Sequence, residues 1–311
     1  MNIGIIGLGI VGFGTYYSLK GKHKVYAFDV KFKKEEYGEK KNYPIKIIQN
    51  EKEKTFVSEY PIKITSISDV IENCKINFVC VPSPMKETGE IDKTYLHNSI
   101  ESIVESVKNS GIKDKRIIII KSTAISGTTR EYIDKYKSQE NIVFGFNPEF
   151  LVESTYLEDA LNPERIIIGI DKKEDFKEVK KMFLESDFKC PMIHSTPEEA
   201  ETVKYASNCF LATKVAFANQ LYDICQKLDV NYNKVIEMLL YDKRFGKTHW
   251  QVPGPDGDRG FGGKCFPKDL NAFIHLAESK GYSPEILKSV RDYNKKIRKK
   301  INWQTEDIKK L

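Results

Sequence analysis

The chain has 311 residues, enough for about two domains with a sizeable core and too many for a fold that depends on staples. Hydrophobic residues make up 40% and charged residues 30%, a mix that excludes a disordered or fibrous chain. With 50 Lys+Arg against 44 Asp+Glu the net charge is +6, too balanced for a dedicated nucleic-acid binder but suited to anionic small ligands.

Residues 3–6 form a short apolar run, followed by Gly7-Leu8-Gly9-Ile10-Val11-Gly12, a helical stretch to Leu19, and a second apolar run at 25–28. This reads as a βαβ unit whose glycines let the backbone approach a pyrophosphate held at a helix amino terminus. Asp29 closes the second strand, where a dinucleotide fold places the acid that holds the adenosine ribose hydroxyls. A carboxylate there repels a 2′-phosphate, so NAD is expected rather than NADP.

Residues 31–54 are rich in lysine and glutamate, and they read as a solvated, partly helical excursion. Three almost continuous apolar runs follow, at 76–81, 117–120 and 142–146, as expected for parallel strands covered on both faces. Each ends in a polar cluster: Pro82-Ser83-Pro84, Lys121-Ser122-Thr123 and Asn147-Pro148-Glu149. Ligands bind beyond the carboxyl ends of such strands, so the clusters are expected to face one crevice.

Residues 165–170 and 192–194 read as two smaller strands that end a first domain, 1–196. Thr196, Pro197 and Glu199 then form a strong helix start, and Val203, Phe210, Phe217 and Ile224 recur every seven residues. A helix over 197–228 is about 48 Å long, a length that suits a connection between domains or a dimer interface. The rest of the second domain, 197–311, reads as mostly helical, with a basic tail from 295 onward as a frayed surface helix. The fold class is therefore α/β: a Rossmann-like doubly wound parallel sheet followed by a mostly helical dimerisation domain with one long connecting helix.

Lys204 and Asn208 lie four apart on one face of the long helix, where a lysine and an amide can bind an oxyanion. Taken alone, the pair also fits a solvated face. The segment from Gly260 to Asp269, Gly-Phe-Gly-Gly-Lys-Cys-Phe-Pro-Lys-Asp, places Cys265 at a helix amino terminus among lysines, an environment that favours the thiolate nucleophile. Cys74, Cys80, Cys209 and Cys225 read as small buried hydrophobes, and the six cysteines show no zinc-ligand spacing. No metal is expected. No apolar stretch approaches the ~20 residues of a membrane span, so a cytoplasmic protein without a membrane partner is expected.

In these motifs, taken in order along nearly the whole chain, the sequence resembles the UDP-glucose/GDP-mannose dehydrogenase family. The resemblance rests on the glycine loop with Asp29 and Lys34, Lys121-Ser122-Thr123, residues 147–153, residues 162–165, residues 201–208, Asp242-Lys243-Arg244, and the 262–269 loop. It implies a four-electron oxidation of a sugar C6 alcohol to a carboxylate using two NAD in succession, with a thiohemiacetal and then a thioester on Cys265. UDP-glucose is the substrate expected first, with GDP-mannose and UDP-N-acetylhexosamine sugars as alternatives. By the same matching Lys204 and Asn208 stabilise the oxyanion, Thr123 and Asp269 hold and activate water, and Glu149 does acid/base work.

The implied cofactor set is Gly7, Gly9, Ile10, Val11, Gly12, Asp29, Lys34, Ser83, Thr123, Glu153 and Lys268. The implied substrate set is Glu149, Phe150, Leu151, Lys204, Asn208, Phe261, Gly262, Gly263 and Cys265. Arg244 matches a position that reaches the substrate across a dimer interface, so a homodimer through the long helix is expected. The family carries a third, nucleotide-covering domain, and no further βαβ pattern follows Asn294. Two other readings stay open: a two-electron 3-hydroxyacid dehydrogenase, which needs no thiol, and an NAD-binding non-catalytic partner.

Overall fold

The computed structural model describes residues 1–299 except Lys20, Asn50, Glu51, Glu87, Glu153 and Lys264. The described elements fall into two compact units, Met1–Ser83 with Asp92–Lys204, and Pro84–Ile91 with the residues from Tyr205 onward. The division thus cuts the long helix after its second turn rather than at its start, and a short segment from the first half joins the second unit.

The first unit begins with β1 (Asn2–Ile6), α1 (Ile10–Ser18) and β2 (Lys24–Phe28). Next come β3 (Gly38–Lys40), β4 (Pro44–Gln49), β5 (Lys52–Val57) and β6 (Ile62–Ile64), then α2 (Ile67–Asn73), β7 (Ile76–Val79), α3 (Thr94–Ser110), β8 (Arg116–Ile120) and α4 (Thr128–Lys135). It closes with β9 (Ile142–Phe146), α5 (Tyr156–Leu161), β10 (Ile166–Gly169), α6 (Lys173–Glu185) and β11 (Met192–Ser195).

Nine of these strands form one sheet in the order β11-β10-β9-β8-β7-β1-β2-β6-β3. Its pairs are parallel except β9–β10 and β3–β6. β1 lies between β2 and β7, so the chain reverses its direction of winding there, and the crevice at the carboxyl ends of these strands is where an open α/β sheet takes ligands. One side of the sheet buries Phe13, Tyr16, Phe78 and Phe183, the other Ile100, Ile103, Ile118 and Phe144. Coverage on both faces explains why Ile117, Ile118, Ile119 and Ile120 are all fully buried.

The reading of residues 31–54 as a partly helical excursion is corrected. After a single 3-10 turn at Lys34–Glu36, the segment forms β3 and the antiparallel β4–β5 hairpin. The reason is a period of two: Ile45 and Ile47 are buried in the core while Lys46 points out and pairs with Glu53. The lysines that suggested a solvated segment occupy only its outer face. β6, three residues long and fully buried at Ile62 and Ile64, was too short for a periodic signal.

α7 (Pro197–Lys227) is 31 residues long and opens with the expected cap, in which Glu199 N donates to Thr196 Oγ1 and Thr196 N donates to Glu199. The second unit continues with α8 (Tyr232–Leu239), α9 (Phe266–Ser279) and α10 (Glu285–Ile297). It buries two small cores, one around Ala212, Leu270 and Ile274, the other around Tyr232, Ile236 and Trp250. The expected frayed tail is also corrected: α10 ends at Ile297, and Arg298 is buried rather than on a solvated face, because its guanidinium pairs with Asp256. Residues 300–311 of that tail lie outside the described residues. No described helix is long and apolar enough to cross a membrane.

Candidate active site

In the first unit the glycine loop divides its work among three residues. Gly7 has φ +93°, and a Cβ there would come within 2.5 Å of the Cys80 carbonyl. At Gly12 a Cβ would come within 1.8 Å of the Gly7 carbonyl, so this glycine permits close strand-helix packing. Gly9 faces open space at the amino terminus of α1, with no side chain capping the first-turn N–H groups. That is the cradle an anionic pyrophosphate fits. Asp29 is held in place by the Leu8 N–H at 2.7 Å and the Lys31 N–H at 3.0 Å, which orients its carboxylate at the end of β2. Ile10 and Val11 open α1 beside this cradle, and Lys34 is exposed in the 3-10 turn beyond it. The residues present fit NAD.

The three strand-end clusters have distinct roles. Ser122 is buried and donates to the Val81 carbonyl at 2.7 Å, clamping its loop to the end of β7 and leaving Thr123 partly exposed; Ser83 is also partly exposed. Lys121 donates to Asn147 Oδ1 at 2.6 Å, and the buried Asn147 donates to the Ile167 carbonyl. Burial pushes the Lys121 ammonium below its usual range.

Glu149 lies 2.8 Å from Lys204, both largely buried. Burial alone would push the Glu149 carboxyl up, but the Lys204 charge and hydrogen bond, the Leu151 N–H and the nearby Lys121 hold it below the ordinary range. Phe150 is overlaid by the Arg165 guanidinium, 4.3 Å from the ring centroid. Glu149, Phe150 and Leu151 line a cavity of about 330 Å³ together with Lys121, Asn147 and Arg165. Glu153, expected beside the cofactor, lies outside the described residues.

In the second unit Cys265 is exposed and caps α9, accepting the Asp269 N–H on its carbonyl. Cys190 is half-buried, and the other four cysteines are buried; burial pushes Cys74, Cys80 and Cys209 up to about 12. Four residues along α9, Asp269 is buried and accepts from Asn208 Nδ2 and from Lys268 Nζ, each at 2.5 Å. Asn208 follows Lys204 by one turn of α7, so each of these two donors meets a carboxylate that fixes its direction. Arg244 sits in the 3-10 turn after α8, 84% exposed and paired with Asp242.

The glycines near Cys265 are not alike. Cβ atoms at Gly260 and Gly262 would collide with Asn294 at 2.2 Å and Arg298 at 2.0 Å, whereas Gly263 meets nothing among the described residues. Both backbone polar groups of Phe261 pair with Asn294.

Sequence reasoning assigned no individual role to Glu201, Asn294 or Arg298, and placed Asn147 only as a member of a strand-end polar cluster. Glu201 is fully buried and accepts from Gly127 N, Thr129 N and Thr129 Oγ1 at 2.7, 2.8 and 2.6 Å. It thereby ties α7 to the start of α4, just past Thr123. A charged residue on the buried stripe of a long helix was the available signal.

Comparison with known proteins agrees with both halves. Residues 1–187 match the NAD binding domain of the UDP-glucose/GDP-mannose dehydrogenase family, and residues 198–296 match its central domain. The UDP-glucose 6-dehydrogenase of Rickettsia felis is 34% identical over 246 residues, covering 75% of this chain and 51% of that protein. That of Rickettsia typhi is 34% identical over 306 residues, covering 95% and 67%. A solved UDP-glucose dehydrogenase from Pyrobaculum islandicum is 27% identical with a TM-score of 0.78, covering 95% of this chain and 68% of that one. The chain therefore spans about half to two-thirds of the length of these relatives. With two consecutive family domains matched and the NAD cradle intact, this chain belongs to the UDP-glucose/GDP-mannose dehydrogenase family.

Proposed function

We propose that the chain carries out the NAD-dependent oxidation of UDP-glucose at C6 to UDP-glucuronate through a covalent adduct on Cys265. The observation that carries this reading is the contrast among the cysteines: the one thiol exposed is the one at a helix amino terminus, one turn from the buried Asp269–Asn208 pair. A single alcohol oxidation needs no such thiol, which disfavours the 3-hydroxyacid reading. The names of the relatives favour UDP-glucose over other nucleotide sugars.

Bound NAD supplies a two-electron acceptor, once for the alcohol and once for the thiohemiacetal. The protein does the rest. The Cys265 thiolate adds to the C6 aldehyde carbon, and the carbonyl electron pair moves to oxygen. Lys204 and Asn208 stabilise that oxyanion as preorganised donors. At the thioester stage Thr123 and Asp269 hold the attacking water, and Glu149 accepts its proton. The C–S bond breaks, the thiolate leaves and the carboxylate is released.

Gly7 through Gly12, Asp29, Lys34, Ser83, Lys268 and Glu153 are assigned to the cofactor. Phe150, Leu151, Gly262 and Gly263 are assigned to the nucleotide sugar. With the Phe261 peptide groups committed to Asn294, the flanking glycines are the loop's better backbone contacts. Arg244, exposed as it is, reaches the substrate of a second copy of the chain in a homodimer built on α7.

The test is the amount of NADH formed per limiting UDP-glucose, with the purified protein alone. A ratio of two is expected, together with loss of multiple turnover in Cys265→Ser. A ratio of one, or full turnover by the serine variant, overturns the mechanism; no NADH with intact NAD binding leaves the chain as a non-catalytic NAD binder.

A further inference from the structure

We infer that Asn294 and Arg298, at the carboxyl end of α10, are positioning residues that brace the loop delivering Cys265. The inference rests on the reading of Cys265 as nucleophile, but its geometry stands without it.

Asn294 is buried and meets the Phe261 peptide as another peptide would, accepting from its N–H at 2.8 Å and donating to its carbonyl at 2.9 Å. A carboxamide can do both at once; a carboxylate lacks the donor and a hydroxyl lacks the span. Arg298 is buried beside it, donating to the Arg259 carbonyl at 3.2 Å and to Asp256. The next residue continues the fastening, because Lys299 N donates to Asp258 Oδ2 at 3.0 Å. On the other side of the loop Asn219 accepts the Gly260 N–H at 3.1 Å.

The glycines record the same brace. A Cβ at Gly260 would lie 2.2 Å from Asn294 Oδ1, and one at Gly262 would lie 2.0 Å from Arg298 Nη2 and 2.4 Å from its Cζ. The guanidinium therefore occupies the space that a side chain at 262 would need. Gly260 and Gly262 therefore lack side chains because α10 fills that space, whatever contact their backbone makes to a ligand. Gly263, at φ +71°, has space for its own Cβ but a backbone conformation that disfavours one, and it turns the chain into the cap of α9. Holding 256–262 rigid thus fixes where the Cys265 thiol stands relative to the N–H groups of α9.

The test reads the thiol itself: the second-order rate of Cys265 alkylation by iodoacetamide, located by mass spectrometry, in the full chain without NAD or sugar. Asn294→Ala and Arg298→Ala are expected to alkylate at least about 5-fold more slowly, because the thiolate loses its fixed place at the helix amino terminus. NAD affinity, measured by calorimetry, is expected to stay within about 2-fold, which separates a local effect from general unfolding. Gly262→Ala is expected to match Arg298→Ala, and the double variant to be no slower than either single one, since both disturb one contact. Alkylation within 2-fold of the parent in both single variants, or additive losses in the double variant, overturns the brace. If the variants do not fold, hydrogen exchange of the parent decides: the Phe261 amide is expected to be protected like the helix amides of α10, and exchange at the rate of an open loop overturns the proposal. Slowed alkylation alongside normal turnover by Cys265→Ser would sink the nucleophile reading while leaving the brace in place.

Discussion

Lys204 and Glu149 form an ion pair that is 6% and 12% exposed, so neither group can turn to water when the other is lost. Lys204→Ala leaves a buried carboxylate without its closest partner, and a destabilisation of about 3–5 kcal/mol in urea unfolding is expected. Lys204→Met combined with Glu149→Gln removes both charges, so its cost is expected to fall at least about 1 kcal/mol short of the sum of the single changes. Additive losses would mean that the two side chains do not depend on each other. Asp29 offers a second check on single residues. Its carboxylate is fixed by two backbone N–H groups, and Asp29→Ala should weaken NAD binding in calorimetry at least about 10-fold while leaving Cys265 alkylation unchanged.

At the scale of the element, the seven-residue repeat of α7 runs along its exposed face rather than its core face. Phe210, Phe217 and Ile224 are 69%, 53% and 48% exposed, while Cys209, Ala212 and Ala216 face the core. A row of large apolar side chains left in water along a 31-residue helix fits a matching row on a second copy of the chain. If the proposed dimer is built on this face, Phe217→Glu is expected to leave the protein monomeric in sedimentation velocity at micromolar concentration, where the parent sediments as a dimer. An unchanged sedimentation coefficient would rule this face out as the interface. The β4–β5 hairpin teaches a different lesson. Ile47 is 1% exposed and packs in the main core, so Ile47→Ala should cost about 2–4 kcal/mol, as for any core position, despite its lysine-rich surroundings.

For the whole molecule, two buried carboxylates answer to pH in opposite directions. Glu149 is held below its ordinary range, so its contribution is present above that range and is lost as pH falls through its lowered value. Glu201 is pushed up to about 7 by burial, against its hydrogen bonds from Thr129 and Gly127. Its folded value lies above its unfolded one, so the stability it contributes is fully present below about 4.5 and is lost as pH rises through about 7. Glu201→Gln removes this titration. The difference in unfolding free energy between parent and variant should change by up to about 3 kcal/mol between pH 4.5 and pH 8, with the parent gaining on the acid side. A constant difference across that window would place the Glu201 titration outside it.

Much of this protein can be read along the chain, because its signals are local. The glycine loop needs only a strand, a turn and a helix start, and Asp29 follows within one βαβ unit. The almost continuously apolar runs of β7, β8 and β9 announce burial on both faces, and Cys265 is marked by the helix start that follows it. Signals at a distance needed the fold. The hairpin at 44–57 hid because alternation within a charged segment becomes a buried face only once β4 meets the core. Gly260 and Gly262 look like a ligand loop until α10 returns, more than thirty residues later, to fill the space their missing side chains leave. Glu149 and Lys204, 55 residues apart, became a buried pair only through tertiary packing. Backbone conformation and helix capping are decided by neighbours in sequence, whereas burial, ion pairing and the bracing of a loop are decided by residues that only folding brings together.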